Sequence, residues 1–292
     1  MKIILDWLSK ILCFILCIIL FIAIFVFLGL AIVKQVTNTD RIIEIVADVD
    51  TEKIFGEEII NSLYNDVKQY DVNTEIIDGI INDSEFKKLV GKILGNTIEI
   101  ILYAKEEPII TTGEVIKVLD KQIDSIAQSR GIVLTLEQRN LILQEVEKEI
   151  NNIINTISIE EIEANEETKE GIETIRFIFG GSLSVILVIV IALLILIIAL
   201  ARWSIYRFAI WTGVTTVLAG GVFTLLGFSI EELISIYYIN EIPEVIMTIL
   251  NNHIINIMTT TGIITAIIGT IQIVYYQILK QKKENPILNI SY

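Results

Sequence analysis

The side chains able to do chemistry are few, and their spacing argues against most of it. The only histidine, His253, stands between Asn251-Asn252 and Ile254, so any His-paired triad or His-rich metal site would have to be built on this one residue. Its neighbours and its place at the edge of an apolar run read as an interfacial polar residue. The paired glutamates Glu57-Glu58, Glu160-Glu161, Glu166-Glu167 and Glu231-Glu232 do not precede an arginine inside an apolar helix. Asp48-Val49-Asp50-Thr51-Glu52 imitates the opening of a calcium loop, with oxygen ligands at alternate positions. The imitation fails at Lys53, where a glycine is required, and at Ile59, where a bidentate glutamate belongs. The cluster Glu160, Glu161, Glu163, Glu166, Glu167 and Glu170 reads as a solvated face. Cys13 and Cys17 lie one helical turn apart with no histidine or further cysteine near, which cannot complete a tetrahedral metal site, and they read as apolar filler. No HExxH, GxSxG, Walker or Rossmann pattern occurs. No catalytic, cofactor-binding or metal residue is therefore assigned.

The elements that would position such residues divide sharply in composition. The chain has 292 residues, of which 53% are hydrophobic and 20% charged, with a net charge of -14. Residues 34–176 carry 15 of the 22 Lys and Arg and 30 of the 36 Asp and Glu, so this stretch bears -15 and the remainder +1. A charged domain is thus spliced into an apolar framework. The acidity argues against a nucleic-acid binder. The absence of cysteine from the charged part excludes a disulfide scaffold.

Four stretches are long enough to cross the roughly 30 Å hydrocarbon core at about 1.5 Å per helical residue: 11–33, 177–201, 208–230 and 254–279. Between Leu183 and Leu200, fifteen residues are Leu, Ile or Val. Lys2 and Lys10 in tail 1–10, Arg202 and Arg207 in link 202–207, and Lys280, Lys282 and Lys283 in tail 280–292 put those segments on the cytoplasmic side, because basic loops resist translocation. The segment 231–253, with Glu231, Glu232, Glu241 and Glu244 and no Lys or Arg, falls outside together with the domain 34–176. Trp7, Trp203, Tyr206, Trp211, Tyr275 and Tyr276 fall at inner boundaries, and Tyr237 and Tyr238 at the outer one. The first span opens like a secretory signal and reaches Gly29-Leu30-Ala31. Its apolar run exceeds the usual signal core, so a retained anchor is expected.

The acidic domain reads as a helical bundle. Ile116, Leu119, Ile123 and Ile126, then Ile142, Val146, Ile150, Ile153 and Ile157, recur at helical spacing. Thr111 with Glu114, Thr135 with Gln138 and Ser158 with Glu161 match the capping box, and Gly131 supplies a stop. Further helices are expected near 40–49, 52–69, 74–82 and 85–104, the last with Phe86, Val90, Ile93 and Ile101 on one side. The helix from about Ile159 runs towards the second span, interrupted only at Gly171 and Gly180-Gly181, so the domain is either coupled rigidly there or hinged at the glycines. Beyond the third span, Ile230, Leu233, Ile234 and Tyr237 share one face, as do Val245, Ile246, Ile249 and Leu250 after Pro243. These are read as amphipathic extensions that pack on the domain or lie on the outer leaflet. In the third and fourth spans, small and hydroxyl residues recur every four positions: Ala209-Gly213, Thr216-Gly220-Thr224, Thr261-Thr265-Gly269 and Ala266-Thr270. They read first as packing seams, with a polar pore or lipid groove as the alternative. Gln272 is the candidate buried amide to bridge two spans.

The expected fold is all-α, with four transmembrane helices and an extracytoplasmic helical bundle inserted between spans one and two. This layout, with its domain opening on Thr37-Asn38-Thr39-Asp40-Arg41, resembles uncharacterised bacterial multi-pass membrane proteins and implies no activity. The expected partners are the lipid bilayer and a protein bound through the acidic domain, with no nucleic acid and no cofactor. The expected location is the cell membrane with both termini cytoplasmic. The leading reading is a non-enzymatic envelope sensor, partner-binding protein or complex subunit. Transport or lipid handling through spans two to four comes second, and an enzyme using His253 third. The oligomeric state is left open.

Overall fold

A computed structural model of the chain describes residues 2–49, 57–103, 112–156, 166–202, 207–238 and 253–284. Among these the all-α expectation holds, with no strand. The helices are α1 (Lys2–Val36), α2 (Thr39–Asp48), α3 (Glu57–Lys68), α4 (Glu75–Ile81), α5 (Ser84–Tyr103), α6 (Thr112–Ser129), α7 (Leu136–Thr156), α8 (Glu166–Phe179), α9 (Ser182–Arg202), α10 (Arg207–Tyr238) and α11 (Ile255–Glu284). They form two compact units that divide at Lys34 and Gly181. One holds α1, α9, α10 and α11, and the other holds α2 to α8.

Local chemistry explains where the helices of the acidic unit begin and end. The Asn38 side chain caps α2 by accepting from Asp40 N–H at 3.0 Å, and Asp83 caps α5 by accepting from both Glu85 and Phe86 N–H at 3.0 Å. The capping box at Thr135 is complete: Gln138 N–H donates to Thr135 Oγ1 at 3.2 Å, and Thr135 N–H donates to Gln138 Oε1 at 3.1 Å. Gly131 stops α6 with φ +69°, a left-handed conformation that glycine adopts without strain. Gly181, at φ +102°, separates α8 from α9. The boxes at Thr111 and Ser158 involve positions outside the described residues, as do most of the calcium-like loop, the start of the Glu160–Glu170 cluster and the stretch after Pro243.

The core of this unit is aliphatic. Val67, Ile76, Val115, Leu119, Ile123 and Ile142 are fully buried, each such side chain worth about 1.5–3 kcal/mol of burial. Two sequence expectations need correcting here. Val115 rather than Ile116 leads the buried stripe of α6, and Ile116 only packs against its edge. In α5, Phe86, Val90 and Ile93 are buried as expected but Ile101 is half-exposed, because the helix has a second contact face. That face is Gly91, Gly95 and Glu99, spaced four residues apart against α2. A Cβ at Gly91 would lie 2.7 Å from Ile43 Cα, and one at Gly95 2.8 Å from Thr39 Cα. The two helices therefore touch backbone to backbone. At the end of this seam the buried carboxylate of Glu99 accepts the Thr39 N–H at 3.1 Å, satisfying a donor that the first turn of α2 leaves without a helical partner. Beyond it the Thr37 and Tyr103 hydroxyls pair at 2.6 Å.

Among the described residues, four stretches are long and apolar enough to cross a membrane, Asp6–Val36, Lys169–Arg202, Arg207–Ser229 and Ile255–Lys283, and all but the end of the first and the start of the second belong to the other unit. Their outward faces keep large apolar side chains exposed, among them Phe14, Val185, Leu200, Leu225, Phe228 and Ile271. Such a surface is untenable in water and ordinary in hydrocarbon. Inside the unit, Phe25 meets Phe223 edge-on at 5.3 Å, and Leu20, Cys13 and Ile198 are fully buried.

Candidate functional site

Three of the chemistry-bearing residues singled out above, Cys13, Cys17 and His253, have described side chains in the apolar unit. Cys13 is packed in the apolar interior. The Cys17 thiol lies 3.8 Å from the Trp211 carbonyl. Neither forms a disulfide. His253 is half-buried in a π-helical turn ahead of α11. Among the described residues, no three His, Cys, Asp or Glu side chains converge as metal ligands would.

The small residues of α10 and α11 form an antiparallel seam of close backbone contact. A Cβ at Gly213 would lie 2.9 Å from Gly269 O, one at Gly220 2.5 Å from both Ala266 N and Gly262 O, and one at Gly227 2.9 Å from Thr259 Cγ2. From the other side, a Cβ at Gly269 would lie 2.6 Å from Val217 N. The contacting glycines Gly213, Gly220 and Gly227, and opposite them Gly262 and Gly269, recur every seven residues, and the four-residue step Gly220-Thr224 read from the sequence lies in the same seam, since Gly262 faces both. A seven-residue repeat keeps one seam in contact only when the helices wrap left-handedly. The hydroxyls donate within their own helices. Thr212, Thr215, Thr216, Thr224, Thr259, Thr265 and Thr270 each donate to the carbonyl four residues earlier in their own helix. Gln272 does not serve as the expected bridge through its carbonyl: Oε1 is buried and accepts no hydrogen bond.

The feature that stands out is a loop tip on the acidic unit. Val133 is 92% exposed, Leu136 76% and Tyr70 53%, in a unit whose other aliphatic side chains are mostly buried. Two turns carry them. In one, Asp71 takes a left-handed φ of +55°, and in the other Gly131 reverses the chain. One polar bond ties the two turns together, and an ion-paired arginine ties α7 to α6 beside them. Gln138, already in the capping box, donates through Nε2 to the Asp71 carbonyl at 3.2 Å. Arg139 donates to the Asp120 carbonyl at 2.6 Å and pairs with the Asp120 and Asp124 carboxylates at 3.1 and 3.5 Å. The Val133 loop borders two depressions, one of about 390 Å3 beside Ala127 and Gln128 and one of about 410 Å3 beside Tyr70 and Gln138. The site was missed in the sequence because Val133 and Leu136 look like ordinary core residues. The Gly131 stop and the Thr135 cap mark a loop in the sequence, but Ile132 and Leu134 of that loop pack against the core, so the sequence alone does not single out Val133.

No known family, curated protein or solved structure matches this chain. The geometry alone therefore has to carry the functional reading. A held, solvent-facing apolar tip can bind an apolar cleft.

Proposed function

We propose that the chain is a multi-pass protein of the cell membrane that holds its acidic helical domain on the extracytoplasmic side and there docks a partner protein through the Tyr70–Val133–Leu136 tip. The observation that carries this reading is the tip itself. Exposing Tyr70 and Val133 on two turns that Gln138 ties together, and Leu136 at the start of α7, costs stability and solubility, and a bound partner would recover that cost. The acidity of residues 34–176 favours encounter with a basic surface around the cleft. Support for the orientation comes from the apolar unit, where Ser9 donates to the Ala201 carbonyl at 2.9 Å and the α10–α11 seam is antiparallel. This puts Lys10 beside Arg202, and the start of α10 beside the basic end of α11, as cytoplasmic ends would be.

The test is site-specific photocrosslinking in cells. A photoreactive residue at Val133 or Leu136 should give one reproducible protein adduct, and Tyr70→Glu should abolish it. The same residue at exposed Lys117 should give none. Absence of an adduct from both tip positions overturns partner docking. A reporter inserted near residue 120 should read extracytoplasmic, and a cytosolic reading overturns the orientation.

A further inference from the structure

The 20 residues of α5 span roughly 30 Å, and the two halves of the helix meet different neighbours. The first half carries Phe86, Val90 and Ile93 into the core of the acidic unit. The last turn, from Glu99 to Tyr103, meets instead the segments that lead to the membrane-crossing stretches. On one side the Glu99 carboxylate accepts the Thr39 N–H at 3.1 Å, and the Tyr103 and Thr37 hydroxyls pair at 2.6 Å, which fastens the link from α1 to α2. On the other side Arg176 of α8 donates through Nε to the Ile101 carbonyl at 3.0 Å, and a Cβ at Gly180 would lie 3.0 Å from Leu102 O.

Two of these bonds settle backbone groups that helix ends leave open. The Thr39 N–H belongs to the first turn of α2 and the Ile101 carbonyl to the last turn of α5, and their partners stand 60 and 75 positions away in the chain. An arginine is favoured at the second place, where the helix dipole is negative. Apolar burial holds α8 only weakly. Among its described side chains Ile172 alone is buried, and Ile175 and Phe177 are exposed. An element fixed by few buried contacts opens at low free energy. The apolar stretch Asp6–Val36 ends next to Thr37, and the stretch Lys169–Arg202 contains Arg176 and Gly180. Two of the points at which the chain passes between the units, after Lys34 and after Gly180, thus lie beside residues tied to one helical turn.

We propose that the last turn of α5 is a coupling joint with a latch: it holds the ends of α1 and α8 at one spacing while Arg176 is seated, and frees α8 when Arg176 leaves. A displacement of α5 then passes to both membrane-crossing stretches together, and an open latch confines it to the first. The two fastenings differ in kind. Beside α2 the backbones touch at Gly91 and Gly95 and Glu99 is buried, so that side stays shut. α8 is held through Arg176 and the Gly180 contact, so that side is the one that opens. The joint stands whether or not the tip docks a partner.

Pulsed electron–electron double resonance on the full chain in nanodiscs tests this, with Cys13→Ala and Cys17→Ala as the background and spin labels placed in pairs at the exposed positions Gln35, Lys92 and Glu173. Each pair should give one narrow distance. Arg176→Met should broaden Lys92–Glu173 and Gln35–Glu173 and leave Gln35–Lys92 narrow. Gly180→Ala, whose Cβ would press on Leu102 O, should shift the same two pairs, and it replaces Arg176→Met if that variant loses helix content. Gly171→Ala, whose Cβ meets nothing within 4 Å, should change none of the three. A broad Lys92–Glu173 distance in the background chain means that no latch forms and overturns the joint. Distances that stay narrow and unshifted in both Arg176→Met and Gly180→Ala mean that other contacts place α8, which overturns it as well. Broadening of Gln35–Lys92 together with the other pairs reports loss of the fold around α5 rather than an opened latch, and also counts against the proposal.

Discussion

Gly220 and Gly221 are chemically identical neighbours on α10, and the structure separates them completely. A Cβ at Gly220 would meet Ala266 N and Gly262 O at 2.5 Å, whereas a Cβ at Gly221 meets nothing within 4 Å. An unstrained carbon contact needs about 3.5 Å, so Gly220→Ala must push α10 and α11 apart by about 1 Å at that level. A gap of that size forfeits a quarter to a half of the dispersion energy of the atoms facing it, and overpacking in general costs about 1–3 kcal/mol. The opposing atoms are backbone and cannot swing aside, so the expected loss is about 2 kcal/mol, near the middle of that range. Gly221→Ala should be neutral, or stabilising by up to about 1 kcal/mol through better helix propensity. The assay is SDS titration of the purified chain in mild detergent, following separation of α10 and α11 by energy transfer between labels at their ends. If the two variants lose equal stability, or Gly221→Ala loses more, the seam is not where the geometry puts it and the packing argument fails.

Thr265→Val should change that same unfolding free energy by less than about 1 kcal/mol, because its hydroxyl donates to the Thr261 carbonyl at 2.9 Å and its shape is kept; a large loss would point to an interhelical role. Glu99→Ala takes the acceptor from the half-buried Thr39 N–H and should destabilise the acidic unit by about 1 kcal/mol, whereas Glu99→Gln keeps an acceptor and should lose much less, as thermal unfolding will show. Gln138→Ala removes the bond between the two tip turns and should speed proteolytic nicking near Val133 without altering helix content. Glu145, and after it Asp66, favour the charged form of Lys148 and raise its pKa. The pair's stabilisation is therefore complete below the ordinary lysine value and fades only as pH climbs through the raised one. The stability difference between wild type and Lys148→Met should stay flat from neutral to mildly alkaline pH and shrink in high salt. A difference that grew with pH would contradict the ion pair.

Local physics was open to reading in the chain itself. Helix periodicity, the Thr135–Gln138 capping box and the stop at Gly131 involve residues within four positions of each other, so neighbours in sequence suffice to specify them. The four apolar stretches are likewise set by composition over about 20 residues. What required the fold was every choice of which face meets which helix. The seven-residue spacing of the α10–α11 glycines can be counted in the sequence, but only the fold shows that Gly220 meets the partner helix while Gly221 faces open space. Glu99 has a reason to be buried only because Thr39, 60 positions earlier, brings an unsatisfied donor to it. Val133 and Leu136 are apolar enough for a core; only the closure of the bundle around Leu119, Ile123 and Ile142 leaves them outside. The joint at the end of α5 gathers Thr37 and Arg176 onto residues 66 and 75 positions away, because the packing of α2 and α8 decides what their ends can reach.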